Sequence, residues 1–483
     1  MTINVQRTKL SPTLEISKVV TGLWQIADME RGGNTLKLSN LADAMLPYVE
    51  AGLTSFDMAD HYGSAEDIVG LFSTSHPEKP VQLFTKWVPT PGPVTKEDVR
   101  SAIEVSLKRM QTEQLDLLQF HTWTYSDPSW LDCLFYLQEL KEEGLIANLG
   151  LTNFNTAHLS IAVNSGIDIT SNQVAFSLLD GRAKHDMSAF CLEHDIKLLA
   201  YGTVAGGLLT RKWLGQAEPA VDEGTWSQMK YKRFIREAGG WDVFQELLET
   251  LSDVAKKHNV SVANIASRYM LEQPAVGAVI IGARLGNSEH IDDTLNLFNF
   301  SLDDASHAQI EASLANLTPL PGDCGDEYRK PPFLTASGDL SHHLESFPKP
   351  FEAVTRPNGE TIVLSGTKWE EIAGFCRAVR VDNRIVISGT TATHLDKVIG
   401  GQDAGAQAHF VMDKLEAALQ SLGSKLEDVI RTRVYVRNMA DWEAVARAHG
   451  NRFAGILPAN TLVQAQLVGD DYLVEIEAEA AVR

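Results

Sequence analysis

The clearest strand-turn-helix pattern in the sequence is VQLFTKWVPTPGPVTKEDVRSAIEVSLKRM, residues 81–110. Its apolar run Val81–Trp87 has the continuous character of a parallel strand that is buried on both faces. After a polar turn, the stretch Lys96–Met110 repeats its apolar residues at helical spacing, so that they fall near one face. These thirty residues therefore predict one strand, one turn and one amphipathic helix.

The same unit recurs between Val19 and Leu297. Eight apolar runs mark its strands: Val19–Trp24, Thr54–Met58, Val81–Trp87, Leu115–His121, Ala147–Thr152, Ile169–Ala175, Lys197–Tyr201 and Ala278–Ile281. Eight units in about 280 residues favour a closed (β/α)8 TIM barrel over an open doubly wound sheet. The long connection Trp213–Val276 holds two further amphipathic stretches, Val243–His258 and Val262–Leu271, and is a place for a loop that closes over a site.

The pattern changes at residues 319–350, which are rich in proline, glycine and polar residues. This segment is interpreted as a linker or as an extended arm packed on a surface. Beyond it, short strands mixed with helices predict a smaller α+β domain. The strands are Ala378–Val381, Arg384–Ser388, Arg431–Val436, Thr461–Val468 and Leu473–Ala480, and the helices are Gln402–Ser421 and Met439–Phe453. We therefore divide the chain into residues 1–318, 319–350 and 351–483.

Composition excludes several classes of function. The 483 residues carry 42 Lys and Arg against 63 Asp and Glu, a net charge of −21, of which −4 lies in residues 351–483 and −17 before them. Such a surface repels nucleic acids and anionic membranes. No apolar run has the length of a membrane span or the pattern of a signal peptide. The four cysteines are dispersed without C-x-x-C spacing, so we expect reduced thiols, no metal site and a cytoplasmic protein.

Polar residues of four kinds follow three consecutive strands. Asp57 ends the second strand, with Tyr62 just beyond it, while Lys86 and His121 end the third and fourth. A barrel places its active site at this end of its strands. An ammonium held by a carboxylate would lower the pKa of a nearby phenol, so Asp57, Lys86 and Tyr62 suggest a proton relay. His121 would then orient a carbonyl oxygen by a hydrogen bond.

The segments FDMADHYG (56–63), LFTK (83–86) and LLQFH (117–121) resemble the aldo-keto reductase family. The resemblance covers residues 8–300 and implies an NADP(H)-dependent barrel that reduces aldehydes and ketones, with Asp57, Tyr62, Lys86 and His121 as its catalytic tetrad. Further likeness in GLTNF (150–154), SNQ (171–173), LAYG (199–202), GGLLT (206–210), IIGAR (280–284) and EHIDD (289–293) implies a set of cofactor-binding residues. They are Thr152, Asn153 and Gln173 at the nicotinamide carboxamide, Tyr201 stacked on its ring, Gly206 and Leu208 at the pyrophosphate, and Arg284, His290 and Asp293 at the adenosine end.

Arg284 is the candidate for a 2′-phosphate, because a guanidinium suits a phosphate dianion. The sequence departs from the family pattern at Arg211, His290 and Thr294, which leaves NADPH and NADH both open. Trp24, Trp87 and Trp123 lie at or just beyond strand ends. They predict either packing at the barrel rim or an aromatic wall for the substrate.

The second domain resembles the RidA (YjgF/UK114) family, which has a chorismate-mutase-like fold, through residues 374–390, 426–436 and 473–478. That resemblance implies homotrimers with small-molecule sites between subunits. Active members use an arginine in a P-x-R-[ST] segment, and here the segment is PANT (458–461), with Asn460 in place of the arginine. A neutral amide cannot pair with a substrate carboxylate, so imine deamination is not expected. Glu475 matches a water-positioning glutamate, while Cys376 and Arg377 lie near the expected cleft.

Three functions are compatible with these patterns. The leading hypothesis is an NADP(H)-dependent oxidoreductase of a small carbonyl compound or the matching alcohol, with Tyr62 as the acid and a second domain for ligand binding or association as a homotrimer. The others are an NADPH-binding sensor with little turnover and a bifunctional reductase and imine deaminase. The sequence names neither the substrate nor the favoured direction.

Overall fold

The computed structural model of the chain describes residues 4–287, 290–344 and 348–482. Residues 288–289 of the adenosine-end segment and 345–347 of the linker lie outside the described residues. A hairpin opens the described chain, with β1 (Arg7–Ser11) paired antiparallel to β2 (Leu14–Ser17). Eight parallel strands then form a closed barrel, which confirms the TIM-barrel prediction. They are β3 (Val19–Gly22), β4 (Ser55–Asp57), β5 (Gln82–Trp87), β6 (Leu117–Phe120), β7 (Leu149–Thr152), β8 (Ile169–Ala175), β9 (Lys197–Tyr201) and β10 (Val276–Gly282).

The hairpin closes the barrel at the end opposite the candidate site. Leu10, Leu14 and Ile16 pack with Phe84, Leu117, Leu199 and other inward residues of the barrel strands in a cluster of their own. Side chains two residues apart on a strand share a face. Lys86, Gln119 and Tyr201 follow Phe84, Leu117 and Leu199 by two residues, and so point inward one layer higher. The apolar plug thus sets the register of the polar layer above it.

Helices surround the barrel and bury their apolar faces against it. They are α1 (Trp24–Met29), α2 (Leu38–Asp43), α3 (Leu46–Glu50), α4 (Ala65–Ser75), α5 (Lys96–Met110), α6 (Ser129–Glu142), α7 (Thr156–Asn164), α8 (Asp186–Glu193), α9 (Trp226–Glu237), α10 (Trp241–His258), α11 (Val262–Leu271), α12 (Ile291–Asn296) and α13 (Asp304–Leu314). Helix α5 has the predicted bounds, and Thr95 and Asp98 fix its start through a reciprocal capping box.

Residues 319–344, which we call the arm, are not an unstructured linker. They include the short helices α14 (Asp326–Arg329) and α15 (Leu340–His343) and bury Cys324, Glu327 and Leu334. The guanidinium of Arg329 donates to the backbone oxygens of Thr122 (2.6 Å) and Asn153 (2.6 Å) at the barrel mouth. The arm lacks periodicity because it is held by such polar contacts rather than by one apolar stripe, and it packs on the barrel as the second of the two interpretations expected.

The second domain is a mixed sheet with helices on one face. Its strands are β11 (Glu352–Thr355), β12 (Thr361–Leu364), β13 (Ala378–Val381), β14 (Arg384–Thr391), β17 (Val429–Val436), β18 (Ala459–Gln464) and β19 (Val474–Ala481), in the order β11-β12-β13-β14-β19-β17-β18, and β15 (Thr393–His394) pairs separately with β16 (Lys397–Val398). The helices are α16 (Lys368–Ala373), α17 (Ala404–Ser421) and α18 (Trp442–Phe453). The sequence interpretation missed the strands β11, β12, β15 and β16 and the helix α16.

Within the described residues, no helix is both long and apolar enough to cross a membrane. The four cysteines are unpaired with one another.

Candidate active site

Asp57 and Lys86 form a buried ion pair at the mouth of the barrel. Nζ of Lys86 lies 2.5 Å from Oδ2 of Asp57 and 2.9 Å from the backbone oxygen of Met58. The other carboxylate oxygen accepts from the amides of Gln119 (2.9 Å) and Gln173 (2.7 Å). Burial lowers the pKa of Lys86, and the charge of Asp57 opposes that shift. The inward layer of polar residues therefore holds the ammonium in one position.

Tyr62 lies directly beside that ammonium. Its ring centroid is 4.9 Å from Nζ of Lys86 and 4.9 Å from the ring of Trp24. Burial raises the pKa of Tyr62 well above its usual value, and the negative charge of Asp57 adds to the shift. The expected lowering of this pKa is therefore not found, because burial of the phenol is the main cause of the rise and Asp57 adds to it. The phenol stays protonated at neutral pH and acts as a donor.

His121 presents an unpartnered nitrogen to the cavity. Its Nδ1 lies 3.2 Å from the backbone oxygen of Thr152, and because a carbonyl oxygen only accepts, Nδ1 carries the proton. Burial lowers the pKa of His121 well below its usual value, and the charge of Arg329 lowers it further. The ring is therefore neutral, and its buried Nε2, with no hydrogen-bond partner among the described residues, is an acceptor. This differs from the expected role, in which His121 donates to a carbonyl oxygen.

One cavity of about 450 Å³ joins these groups to the predicted cofactor residues. Its walls include Asp57, Tyr62, Lys86, His121, Thr152, Asn153, Gln173, Tyr201, Gly206, Arg284, His290, Asp293, Trp24 and Trp123. Two predicted residues do not line it. Leu208 directly follows the 3-10 turn Ala205–Gly207, and its side chain is buried in the apolar core. Trp87 packs against Phe120, with ring centroids 5.8 Å apart.

The end of the cavity near His121 is built from Asn153 and Tyr201. The hydroxyl of Tyr201 donates to Oδ1 of Asn153 at 2.7 Å. Asn153 has a left-handed backbone (φ 59°), a conformation that asparagine tolerates better than most residues. Beside it, the hydroxyl of Thr152 donates to the backbone oxygen of Gln173 at 3.2 Å. These contacts fix both side chains at the place that the family resemblance assigns to a nicotinamide carboxamide.

The middle and far end of the cavity fit the remainder of a dinucleotide. Gly207 has φ +87°, and no atom lies within 4 Å of the position that a Cβ would take, which leaves backbone open to a diphosphate. At the far end, Arg284 donates to Oδ2 of Asp28 at 3.1 Å. Asp293 accepts from Ser261 (2.9 Å) and Asn264 (3.1 Å), so its carboxylate is already held by protein groups.

Several wall residues were not predicted from the sequence. Trp226, Lys230 and Tyr231 come from α9, and Tyr328 comes from the arm. His343 of the arm also stacks on Trp123, with ring centroids 4.1 Å apart. The amphipathic stretch of α9 was available as a signal, but the arm offers no period from which its contribution is recognisable.

In the second domain, Glu475 and Arg377 lie near each other beside Gly389, and the charge of Arg377 opposes the rise that burial causes in the pKa of Glu475, while Asn460 is held elsewhere. Asn460 donates to the hydroxyl of Thr432 at 2.9 Å on the helix-covered face. Burial raises the pKa of Glu475, which lies on the opposite face of the sheet. Its carboxylate packs against Gly389, where the side chain of any other residue would collide with it. Arg377 is buried and paired with Glu370 at 3.4 Å, a contact that ties α16 to the sheet.

Comparison with known proteins agrees with the two-part architecture. A family model described as the aldo/keto reductase family matches residues 18–315, and one described as endoribonuclease L-PSP matches residues 366–482. Protein tas of Escherichia coli (strain K12) is 27% identical over an alignment of 314 positions. The alignment covers 56% of this chain and 88% of that protein. A glycerol dehydrogenase structure from Gluconobacter oxydans has a TM-score of 0.54 at 24% identity, covering 67% of this chain and 98% of that chain, which supports the fold. A YjgF/YER057c/UK114-family structure from Mycobacterium tuberculosis is 36% identical, covers 26% of this chain and 99% of that chain, and has a TM-score of 0.24.

Proposed function

The chain belongs to the aldo/keto reductase family, and from that premise we propose that it is an NADP(H)-dependent oxidoreductase of a small carbonyl compound or the matching alcohol. The observation that carries the proposal is the convergence of Tyr62, Lys86 and His121 on one cavity that also contains the cofactor-type residues. When bound, NADP(H) supplies or accepts the hydride. The residues of this chain supply the proton and the orientation.

Tyr62 is the proposed acid. Its raised pKa keeps the proton on the phenol until a substrate oxygen gains negative charge and becomes the stronger base. Lys86, fixed by Asp57 at 2.5 Å, then stabilises the phenolate that remains. In the reverse direction, the phenolate takes the proton of an alcohol.

His121 positions the oxygen substituent. Its Nε2 accepts a hydrogen bond, so it suits the hydroxyl of an alcohol, a hydrated aldehyde or a neighbouring hydroxyl group. Tyr62 as donor and His121 as acceptor together match a group that both accepts and donates. An alcohol or a hydrate would make both contacts, whereas a carbonyl oxygen, which only accepts, would be bound by Tyr62 alone.

Arg284 supports NADP(H) over NAD(H). A 2′-phosphate would compete with Asp28 for the guanidinium of Arg284, which lines the far end of the cavity. We propose cofactor-binding roles for Thr152, Asn153, Tyr201, Gly206 and Arg284 on these positions.

The second domain is proposed to bind ligands or to associate, without deaminase activity. Asn460 is neutral and its amide is engaged with Thr432, so it offers no charge to a substrate carboxylate. The sheet face opposite α17 and α18 presents Val386, Arg433 and Glu477, a mixture of apolar and paired charged groups that suits contact with further copies. A homotrimer is the assembly that we propose.

The experiment that tests the enzyme is a panel of aldehydes, ketones and alcohols with NADPH and NADP⁺, on the wild-type chain and Tyr62→Phe. We expect turnover in the wild type and a fall in kcat of about 10²–10⁴-fold in Tyr62→Phe, with NADPH affinity unchanged. Full activity in Tyr62→Phe would contradict the mechanism. Tight NADPH binding with negligible turnover on every compound would favour a sensor instead.

A further inference from the structure

Lys230 holds a buried ammonium that has no described carboxylate within ion-pair distance, although Glu327 lies close enough for the charge of Lys230 to lower its pKa. Its Nζ donates to the hydroxyls of Tyr328 (2.8 Å) and Tyr201 (3.4 Å), and no ion pair within 4.0 Å connects it to a described Asp or Glu. Four rings surround it, with centroids 4.7 Å (Tyr201), 5.6 Å (Tyr231), 5.5 Å (Phe234) and 4.6 Å (Tyr328) from Nζ. Phenols and ring faces replace only part of the hydration that the ammonium has lost.

The other cations of the cavity are already neutralised. Lys86 is paired with Asp57 at 2.5 Å and Arg284 with Asp28 at 3.1 Å. Among the Lys and Arg residues described in the cavity wall, Lys230 alone lacks such a partner. An anionic group that enters the cavity therefore gains most by binding to Lys230, because no protein carboxylate has to be displaced.

Lys230 lies at the reacting end of the cavity. The ring of Tyr328 is 5.8 Å from the ring of His121 on one side and 4.6 Å from Nζ of Lys230 on the other. Gly206, at the middle of the cavity, approaches Ser227, which is nearly one helical turn before Lys230 on α9. The ring of Tyr328 thus lies between the ammonium of Lys230 and the ring of His121 in the wall of the same cavity.

The arm fixes the hydroxyl that completes this site. Tyr328 is flanked by Glu327, which is paired with Arg182 at 2.8 Å, and by Arg329, which is bound to the backbone of Thr122 and Asn153. The oxygen of Tyr328 accepts from Lys230, and because Tyr201 donates to Asn153, the proton of Tyr328 is directed at the oxygen of Tyr201 at 3.2 Å. A ligand oxygen that replaces Tyr201 as the acceptor would receive this proton. One ammonium and one phenol then offer two donors to two oxygen atoms.

We infer that the substrate carries a carboxylate, which Lys230 and Tyr328 bind while its carbonyl oxygen accepts from Tyr62. The substrate class is a small oxo acid, or the corresponding hydroxy acid in the direction of oxidation. This inference rests on the proposed oxidoreductase function. It adds specificity that the generic carbonyl chemistry of Tyr62 does not supply.

The test compares 4-formylbenzoate with its methyl ester, two aldehydes of similar shape that differ in charge. With the full chain and NADPH, we expect KM for the acid to be about 10- to 100-fold lower than for the ester. Lys230→Met should raise KM for the acid by the same factor and leave the ester within about twofold. Lys230→Arg should restore part of the preference, and Tyr328→Phe should lose part of it. Lys108→Met, on the exposed face of α5, is the matched control and should change neither KM.

Equal KM values for acid and ester in the wild type would overturn the inference. The inference would also be overturned if Lys230→Met weakened NADPH binding and raised KM for the acid and the ester equally. Lys230 would then bind the cofactor rather than the substrate. If the wild type reduces neither aldehyde, the proposed function fails, and the anion site is tested separately by tryptophan-fluorescence titration with 4-(hydroxymethyl)benzoate. Binding of this acid that Lys230→Met abolishes supports the site, and binding that is absent or indifferent to Lys230 overturns it.

Discussion

Oδ2 of Asp413 in the second domain lies 3.0 Å from Nε2 of His158 in helix α7 of the barrel. Both side chains are buried, and Asp413 also forms an ion pair with Arg452 of α18. On the barrel side, the ring of His158 stacks on Tyr125 with centroids 3.4 Å apart. The guanidinium of Arg329 lies over the ring of Tyr125, 4.5 Å from its centroid. The two domains therefore share a polar contact that continues to the arm.

Asp413→Asn should destabilise the folded chain by about 2–4 kcal/mol. The substitution leaves Arg452 with Glu416 as its remaining partner, and burial raises the pKa of Glu416 to about 7, so that its charge is only partial at neutral pH. Urea unfolding of the full chain measures the loss. Asp132→Asn removes a charge from another contact between the domains, 2.8 Å from His394, and should cost below about 1 kcal/mol because that pair is partly exposed. Equal losses in the two variants would contradict this view.

His409 should contribute a fall in stability as the pH is lowered from about 6.5 towards 4, while Glu416, whose pKa burial raises to about 7, contributes in the opposite sense over the same range. Burial lowers the pKa of His409 to about 4, with the charge of Arg452 adding to the shift. Between that value and the ordinary pKa of histidine, His409 is protonated in the unfolded chain but neutral in the folded chain. Lowering the pH therefore reduces the contribution of His409 to the free energy of unfolding by about 2–3 kcal/mol over this range. His409→Gln should flatten this part of a urea-midpoint profile. An unchanged slope in the variant would assign the effect to other groups.

Arg284→Ala should reduce the preference for NADP⁺ over NAD⁺ by about 10- to 100-fold, because a charge-assisted contact to the 2′-phosphate is lost. Asp28→Asn should have the opposite effect, since it releases the guanidinium that Asp28 holds at 3.1 Å. Dissociation constants from fluorescence quenching measure both. Arg236→Ala, on an exposed side chain of α9, provides the control. A preference that survives in Arg284→Ala would place the phosphate elsewhere.

His121→Phe should lower kcat/KM about 100-fold in both directions while NADPH affinity is retained. The ring volume is preserved, and the Nε2 acceptor is removed. The exposed His194 serves as the matched control in His194→Phe. A variant that keeps the wild-type kcat/KM would contradict this role of His121.

Light scattering should give three times the monomer mass of 53.1 kDa. Val386→Asp places a charge on the open face of the second domain, where Val386 is 42% exposed, and should dissociate the assembly while leaving reductase activity in place. A wild-type monomer would contradict the proposed trimer.

The sequence sufficed where one signal recurs or where chemistry is local. The eight strands were found because each apolar run is continuous, and Asp57, Lys86 and His121 were found because they end such runs. Lys230 and Lys232 show why the rest could not be predicted. They lie two residues apart on α9, yet Lys230 faces the cavity, whereas Lys232 is buried against Glu218 and Trp241. The role of His121 as an acceptor depends on the backbone oxygen of Thr152, a contact that no spacing reveals.

The arm has a consequence for how such a fused chain can be divided in evolution or in the laboratory. A cut at residue 318, where periodicity ends, would remove Tyr328 and Arg329 from the mouth of the barrel and open one wall of the cavity to water. A cut beyond residue 344 would keep that wall with the barrel. We therefore expect recombination between the two modules to preserve the cavity only a few residues before β11, and part of the proposed substrate specificity would come from a segment that belongs to neither regular fold.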